Sequence, residues 1–375
     1  MKSPFQYGTL VDKESFVNRT EERRQLKELL GSGINVMLIS PRRWGKSSLV
    51  KVAMDELIHE DKHVRVCFID AFSIKTEAEF YRTFAREVIT CAASTLEKRL
   101  EDVKQFLKAI SPSITLKSDT TDSLSFDLKF ELEERDVMEI LELPEKIASA
   151  KGIQLIVCID EFQQLALLPG YKNMEGKMRS AWQKQQQVSY CFYGSKRHMM
   201  MDIFNNSSNP FYRFGQVIFL QKIKKEEWVP FITSAFHRTD KEISEQQAEH
   251  LCDIVKCHSW YLQQLCYFIW SGTSKEVTDE IIETRTRQLI DTNMPMFMND
   301  TENLTAAQTA MLRAVADGEY RFNSIPVARK YELGSAQTIT RNKRMLTERD
   351  FIEKEGNHYV FSDPIFELWF RREYC

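Results

Sequence analysis

No apolar run in these 375 residues approaches the roughly 18 that a membrane-spanning helix needs, which argues against a membrane protein. Charge of neither sign prevails: 51 Lys and Arg stand against 54 Asp and Glu, for a net charge of -3. A role at nucleic acid or a membrane surface therefore has to rest on a local patch. The eight cysteines (Cys67, Cys91, Cys158, Cys191, Cys252, Cys257, Cys266 and Cys375) contain no C-x-x-C pair, which excludes the usual zinc spacing. Several lie inside apolar runs and read as buried thiols of a reducing compartment, not as a disulfide frame. Residues Met1 to Leu10 lack the charged-then-apolar pattern of a secretion signal, so a soluble, cytoplasmic protein is expected. Repeats and low-complexity segments are also missing. What remains is a chain with 43% apolar residues, long enough for two or three compact units.

From about residue 15 to 220, β-rich runs alternate with amphipathic stretches, as in a parallel sheet with crossover helices. Strands are predicted at Ile34–Ile39, Val64–Asp70, Leu155–Asp160, Tyr190–Tyr193 and Val217–Leu220. Alternation through Ser113–Glu131 predicts a β-hairpin inserted into this α/β domain. Strand signal then fades. Helical periodicity at Glu226–Ala235 and Glu245–Lys256 suggests a helical lid, and from Thr301 three helices (Leu304–Ala316, Ile325–Tyr331, Ser335–Glu348) precede a two-stranded wing at Phe351–Phe361. The expected organisation is an α/β domain over 1–221, a lid over 222–300 and a winged helix over 301–375.

The first predicted strand runs into Ser40-Pro41-Arg42-Arg43-Trp44-Gly45-Lys46-Ser47-Ser48 and then a helix, the context a phosphate-binding loop requires. Backbone N–H groups of such a loop wrap phosphates, Lys46 reaches the β and γ oxygens, and the Ser47 hydroxyl ligates Mg²⁺. The strict pattern has Gly where this chain has Ser40. Gly45, where backbone must approach phosphate, is in place. Arg42 and Arg43 can contact phosphates or simply be solvated.

Ile153–Ile159 is almost continuously apolar, as for a strand buried on both faces, and ends in Asp160-Glu161. In that position Asp160 can hold Mg²⁺ and Glu161 can polarise the water that attacks a γ-phosphate. Ser195, after the next strand, is a candidate sensor of the γ-phosphate or a simple turn serine. Arg213, before the last strand, is a candidate arginine finger acting across a homo-oligomer interface, with structural pairing as the other reading.

With these residues in view, the chain resembles P-loop ATPases of the AAA+ superfamily, specifically the archaeal and bacterial ATPase family allied to the STAND signalling ATPases. The resemblance rests on Pro41-Arg42-Arg43 with Gly45-Lys46-Ser47-Ser48-Leu49, Asp160-Glu161-Phe162-Gln163, Gly194-Ser195 and Pro210-Phe211-Tyr212-Arg213. Phe16-Val17-Asn18-Arg19 resembles the opening segment that packs beside adenine in relatives, His258 with Tyr261-Leu262-Gln263-Gln264-Leu265 the lid near the nucleotide, and Asp363-Pro364-Ile365-Phe366 with Trp369 the end of the winged helix. It implies binding of ATP or ADP with Mg²⁺, slow hydrolysis, and a lid that follows nucleotide state. Phe16, Val17, Arg19 and His258 join the nucleotide residues on this ground alone. Departures are Ser40 and Ser259, the latter where relatives commonly carry Pro. No particular substrate or protein partner is implied. The reading is a Mg-dependent ATPase serving as a conformational switch or motor, or alternatively a nucleotide-gated signalling or DNA-binding module with little turnover.

In the winged helix, Gln337, Thr338, Arg341, Lys343 and Arg344 form a set suited to DNA, diluted by Glu348, Asp350, Glu353 and Glu355. DNA contact and protein contact both stay open. Phe366, Trp369 and Phe370 are expected in the core.

Overall fold

The computed structural model describes residues 2–9, 16–17, 19–92, 109, 111 and 134–375; the hairpin predicted at 113–131 lies outside them. The chain divides into two compact units, Arg19–Gln221 and Met1–Asn18 with Lys222–Cys375.

In the first unit, five parallel strands, β1 (Val36–Ile39), β2 (Val64–Asp70), β3 (Gln154–Asp160), β4 (Val188–Gly194) and β5 (Gln216–Phe219), lie in the order β2-β3-β4-β1-β5. Composition explains the order. β1 and β4 are buried throughout and β3 from Leu155 to Ile159, as interior strands of a covered sheet must be. β2 and β5, which carry polar or exposed positions, form the edges. Because side chains alternate along a strand, Leu155, Val157 and Ile159 join one large core while Ile156 and Cys158 are buried on the opposite face. That first core also receives α3 (Glu77–Ala92), α4 (Glu134–Lys151), α5 (Tyr171–Trp182) and α6 (Arg197–Asn205). Helices α1 (Thr20–Gly31) and α2 (Lys46–Glu60) pack on each other and on sheet strands. The strands start and stop within two residues of the predicted bounds. At the start of β1 the reason is exposure: Ile34 is left 44% exposed, outside the pairing.

Trp182 anchors the large core, stacked on Phe84, Tyr190 and Phe192 with ring centroids 5.6, 4.4 and 5.8 Å away.

The second unit is helical, with one small hairpin. Its helices include α7 (Lys225–His237), α8 (Glu245–Ile254), α9 (Ser259–Gly272), α10 (Asp279–Glu302), α11 (Ala306–Ala316), α12 (Ile325–Lys330), α13 (Ala336–Glu348) and α14 (Pro364–Tyr374). Strands β6 (Ile352–Glu355) and β7 (His358–Phe361) form the antiparallel wing, which turns through Gly356 at φ 59°. Thr305 begins α11 with a reciprocal capping box to Gln308, and the Ser335 hydroxyl accepts from the Thr338 amide to start α13.

Two features differ from the expected organisation. The 24-residue α10 runs straight through the predicted lid boundary at 300, and Phe297 near its end packs on Phe366 and Trp369. Residues of the lid and of the winged helix thus share one continuous core. Phe5 and Val17 are buried in that same core, so the N-terminal segment groups with this unit and not with the α/β domain. Phe366, Trp369 and Phe370 are buried as expected.

Replacing Trp182 with Ala removes a stacked, fully enclosed indole. The expected loss is about 3–5 kcal/mol in urea unfolding followed by circular dichroism.

Candidate nucleotide site

The site lies at the carboxyl ends of β1, β3 and β4, the edge where open parallel sheets bind ligands. At the end of β1, the Ser40 amide donates to the Gly194 carbonyl at 3.3 Å, and its hydroxyl donates to the Pro41 carbonyl at 2.9 Å. A small, internally satisfied and fully buried residue can therefore stand where a Gly is usual. Gly45 then takes φ 87°, a conformation only Gly adopts without strain, and α2 starts at Lys46. Among the described residues, nothing beyond Gly45 and its immediate chain neighbours lies within 4 Å of where a Cβ at Gly45 would sit, in front of the N-terminus of this 15-residue helix. Unpaired N–H groups and the helix dipole favour an anion there.

Arg19 pins the loop from behind. Nearly wholly buried and held at φ 54°, its guanidinium donates to the carbonyls of Trp44 (3.1 Å) and Gln221 (3.0 Å) and to Glu22 (3.1 Å). One of its contacts is thus with the loop's own backbone.

β3 delivers the acidic pair. The Glu161 amide donates to Asp160 Oδ1 at 2.8 Å, and Glu161 itself sits at φ 48° and ψ 41°, which turns its carboxylate back toward the loop. Lys46 Nζ lies 2.6 Å from Glu161 and 3.0 Å from Asp160. The Ser47 hydroxyl donates to Asp160 Oδ2 at 2.6 Å, and Ser195 donates to Glu161 Oε2 at 2.9 Å. Burial pulls the Lys46 pKa down, but the facing Asp160 and Glu161 charges outweigh it and leave it raised. For Glu161, burial favours the neutral acid, yet Lys46 and the donors Gln163 and Ser195 hold its pKa below the usual 4.5.

Gln163 is the residue the sequence reading quoted but gave no role. Its amide donates to Glu161 Oε2, and it reaches there because Gly194 lacks a side chain: a Cβ at Gly194 would fall 1.9 Å from Gln163 Oε1. A Gln two residues after Glu161 was the only available signal, since the Gly194 contact is made across the sheet.

The structure thus brings together Ser40, Gly45, Lys46, Ser47, Asp160, Glu161 and Ser195. Pro41, Trp44 and the buried Ser48 complete the loop and its helix, and Arg42 and Arg43 are exposed on it. Arg213 is not part of this network: it is exposed at φ 52° and lays its guanidinium over the Tyr212 ring at 5.2 Å. Phe16, Val17 and His258 belong to the other unit, where His258 is buried beside Tyr261 with ring centroids 4.8 Å apart.

Residues 16–265 match a family described as an ATPase domain predominantly from Archaea. The chain belongs to that family. Residues 295–372 match a probable winged helix domain, so this archaeal-type ATPase carries a C-terminal winged helix. Among solved structures, the Walker-type ATPase paby2304 of Pyrococcus abyssi is similar over 98% of this chain and 99% of its own, at 18% identity and a TM-score of 0.70. The ORC2 protein of Aeropyrum pernix, solved in ADPNP-ADP complexes, is similar over 98% and 99%, at 11% identity and a TM-score of 0.60. At such identities the likeness is one of fold. No curated protein matches the chain. At family level the protein is a nucleotide-binding ATPase with the P-loop fold. Among the described residues, no helix is long and apolar enough to cross a membrane.

Two outcomes follow from this geometry. Gly194→Ala forces Gln163 off Glu161 and should cost about 1–3 kcal/mol, read as a lower Tm. In the wild type, the stability that Glu161 contributes is full above pH 4.5 and is lost as pH falls through its depressed pKa. Lys46→Met leaves that carboxyl buried without its cation, which raises the pKa and reverses the sign, so stability is lost as pH rises. The Tm gap between the two proteins should widen from pH 4 to pH 7, reaching the equivalent of about 3 kcal/mol.

Proposed function

We propose that this chain binds ATP with Mg²⁺ at the Ser40–Ser48 loop, hydrolyses it, and uses the change in nucleotide state as a conformational switch. The carrying observation is the bridge from Lys46 to Glu161 and Asp160, with Ser47 on Asp160. A loop lysine already held between the two carboxylates sits where phosphate, metal and water chemistry would have to meet.

The donor set fits Mg²⁺. Ser47 Oγ and Asp160 Oδ2 are hard oxygen donors 2.6 Å apart at the mouth of a helix N-terminus. Among the described residues no group of three or more His, Cys, Asp or Glu could hold a metal by itself, and Mg²⁺ at such sites takes few protein ligands beside phosphates and water. When bound, the ion would neutralise charge on the β and γ phosphates. Lys46 would leave Glu161 to pair with phosphate, and the loop N–H groups would hold the remaining oxygens. Glu161, freed of its cation, would accept a proton from the attacking water at a carboxylate oxygen, with Ser195 and Gln163 fixing its orientation. The switch lies in that exchange: the same ammonium serves the carboxylates without nucleotide and the phosphate with it. Arg213, exposed before β5, would act as the arginine finger of a neighbouring copy. Free and mostly buried cysteines suit a cytoplasmic setting.

A second reading, in which the winged helix contacts DNA, is favoured by the outer face of α13. There Ala336, Gln337, Thr340, Arg341 and Arg344 line one cavity of about 420 Å³. Lys343 is instead drawn over the Tyr359 ring at 5.7 Å, and Arg344 lies 3.6 Å from Glu348, which thins the basic stripe.

Calorimetric titration of ATP with Mg²⁺ should show binding by the wild type and none by Lys46→Ala. Glu161→Gln should still bind while kcat drops about 10²- to 10⁴-fold. Undiminished turnover in Glu161→Gln would overturn the assignment of the base, and equal binding by Lys46→Ala would overturn the site.

A further inference from the structure

Helix α8 ends in a motif that presses two thiols together. After the helix, Lys256 and Cys257 both take left-handed backbone angles, with φ 48° and 55°, and the Cys257 amide donates to the Cys252 carbonyl at 2.8 Å. This six-to-one bond is the signature of a Schellman end, in which the side chains of the two bonded positions usually meet as an apolar pair. Here both positions are cysteine, and both belong to the same apolar cluster, Cys252 within it and Cys257 packed against it. Both are free, Cys252 fully buried and Cys257 half-buried. Lys225 and Lys222 act on Cys257 against the opposing charge of Asp253, with which Lys225 pairs at 2.5 Å, and α9 begins two residues later at Ser259.

We propose that Cys257 is a peroxide-reactive thiol and that Cys252 resolves it into a disulfide across the end of α8. The cysteine exposed to oxidant is the one with cationic neighbours, and its partner is already in contact behind it, so no rearrangement of distant segments is required.

The chemistry closes within the pair and one peroxide. The Cys257 thiolate attacks one peroxide oxygen, the O–O bond breaks, and hydroxide leaves and is protonated to water, so sulfur is oxidised to the sulfenic acid. Cys252 Sγ then attacks Cys257 Sγ, its proton goes to the departing oxygen, the S–O bond breaks, and a second water leaves with the disulfide formed.

The electrostatics agree with the geometry. The hydrogen bond from Cys252, followed by Lys225 and Lys222, lowers the Cys257 pKa to about 7 against the burial that opposes it, while Cys252 is pushed up. Burial also pushes up Cys266 and the C-terminal Cys375, so these remain thiols at neutral pH.

The test uses the full chain, reduced and then desalted. Brief alkylation at pH 7 with peptide mapping should modify Cys257 about three- to tenfold faster than the exposed Cys375. Stoichiometric hydrogen peroxide should remove two thiols and two hydrogen masses, yield a Cys252–Cys257 linked peptide, and be reversed by dithiothreitol. Cys252→Ser should stop at a sulfenic acid on residue 257 that a cyclic dione traps, and Cys257→Ser should leave Cys252 unoxidised. The proposal is overturned if Cys257 alkylates no faster than Cys375, or if peroxide oxidises other cysteines first. Mapping on the wild type decides the matter even if a variant folds poorly.

Discussion

A single ammonium group between two carboxylates is the constraint on which the α/β unit depends. Asp160 and Glu161 are adjacent in sequence and largely enclosed, and two like charges in such a place are tolerated only with a cation at contact distance. Lys46 supplies it, and to do so the loop after β1 must end beside the tip of β3. β4 lies between these two strands in the sheet, with Ile39 paired to Gly194 and Ile159 to Phe192. Three strand ends are thereby held in one register, and Ser195, the residue after β4, is delivered onto Glu161. A ligand that competes for Lys46 consequently acts on the whole edge at once.

The pair is also held by steric means. Glu161 accepts from Gln163 and Ser195 while paired with Lys46, so it keeps two neutral donors when the cation is withdrawn. Those donors fix the direction of the carboxylate. Arg19 has the complementary task behind the loop, where it donates to the Trp44 carbonyl.

Much of this was legible in the sequence wherever the information is local. The phosphate loop, the buried run ending in Asp160-Glu161 and the strand positions follow from order and periodicity along short segments, and the P-loop fold with a winged helix is the architecture found. What could not be read depends on partners distant in sequence. Gly194 is a neighbour of Gln163 only after β3 and β4 pair. Phe5 and Val17 look like any apolar residues before a helix, yet their burial is provided by residues more than 200 positions away. Helix α9, inside the region read as a helical lid, received no bounds of its own for a different reason: residues Tyr261 to Cys266 are buried without interruption, so the contrast between faces that reveals a surface helix is absent. In α10, Pro295 and long polar stretches hid a helix that tertiary packing sustains.

That long helix sets a condition on how the two family segments are joined. The winged-helix match begins at residue 295, inside α10, whose earlier residues Ile282, Leu289 and Ile290 and later residue Phe297 are all buried. The seam is a continuous helical rod, about 36 Å long at the usual rise per residue, not a tether. Inserting or deleting one residue near position 295 would rotate everything beyond it by about 100°. Phe297 would then no longer keep its present register with Ile282, Leu289 and Ile290. Change along this lineage can therefore vary the residues of the junction freely, but its length only in whole turns.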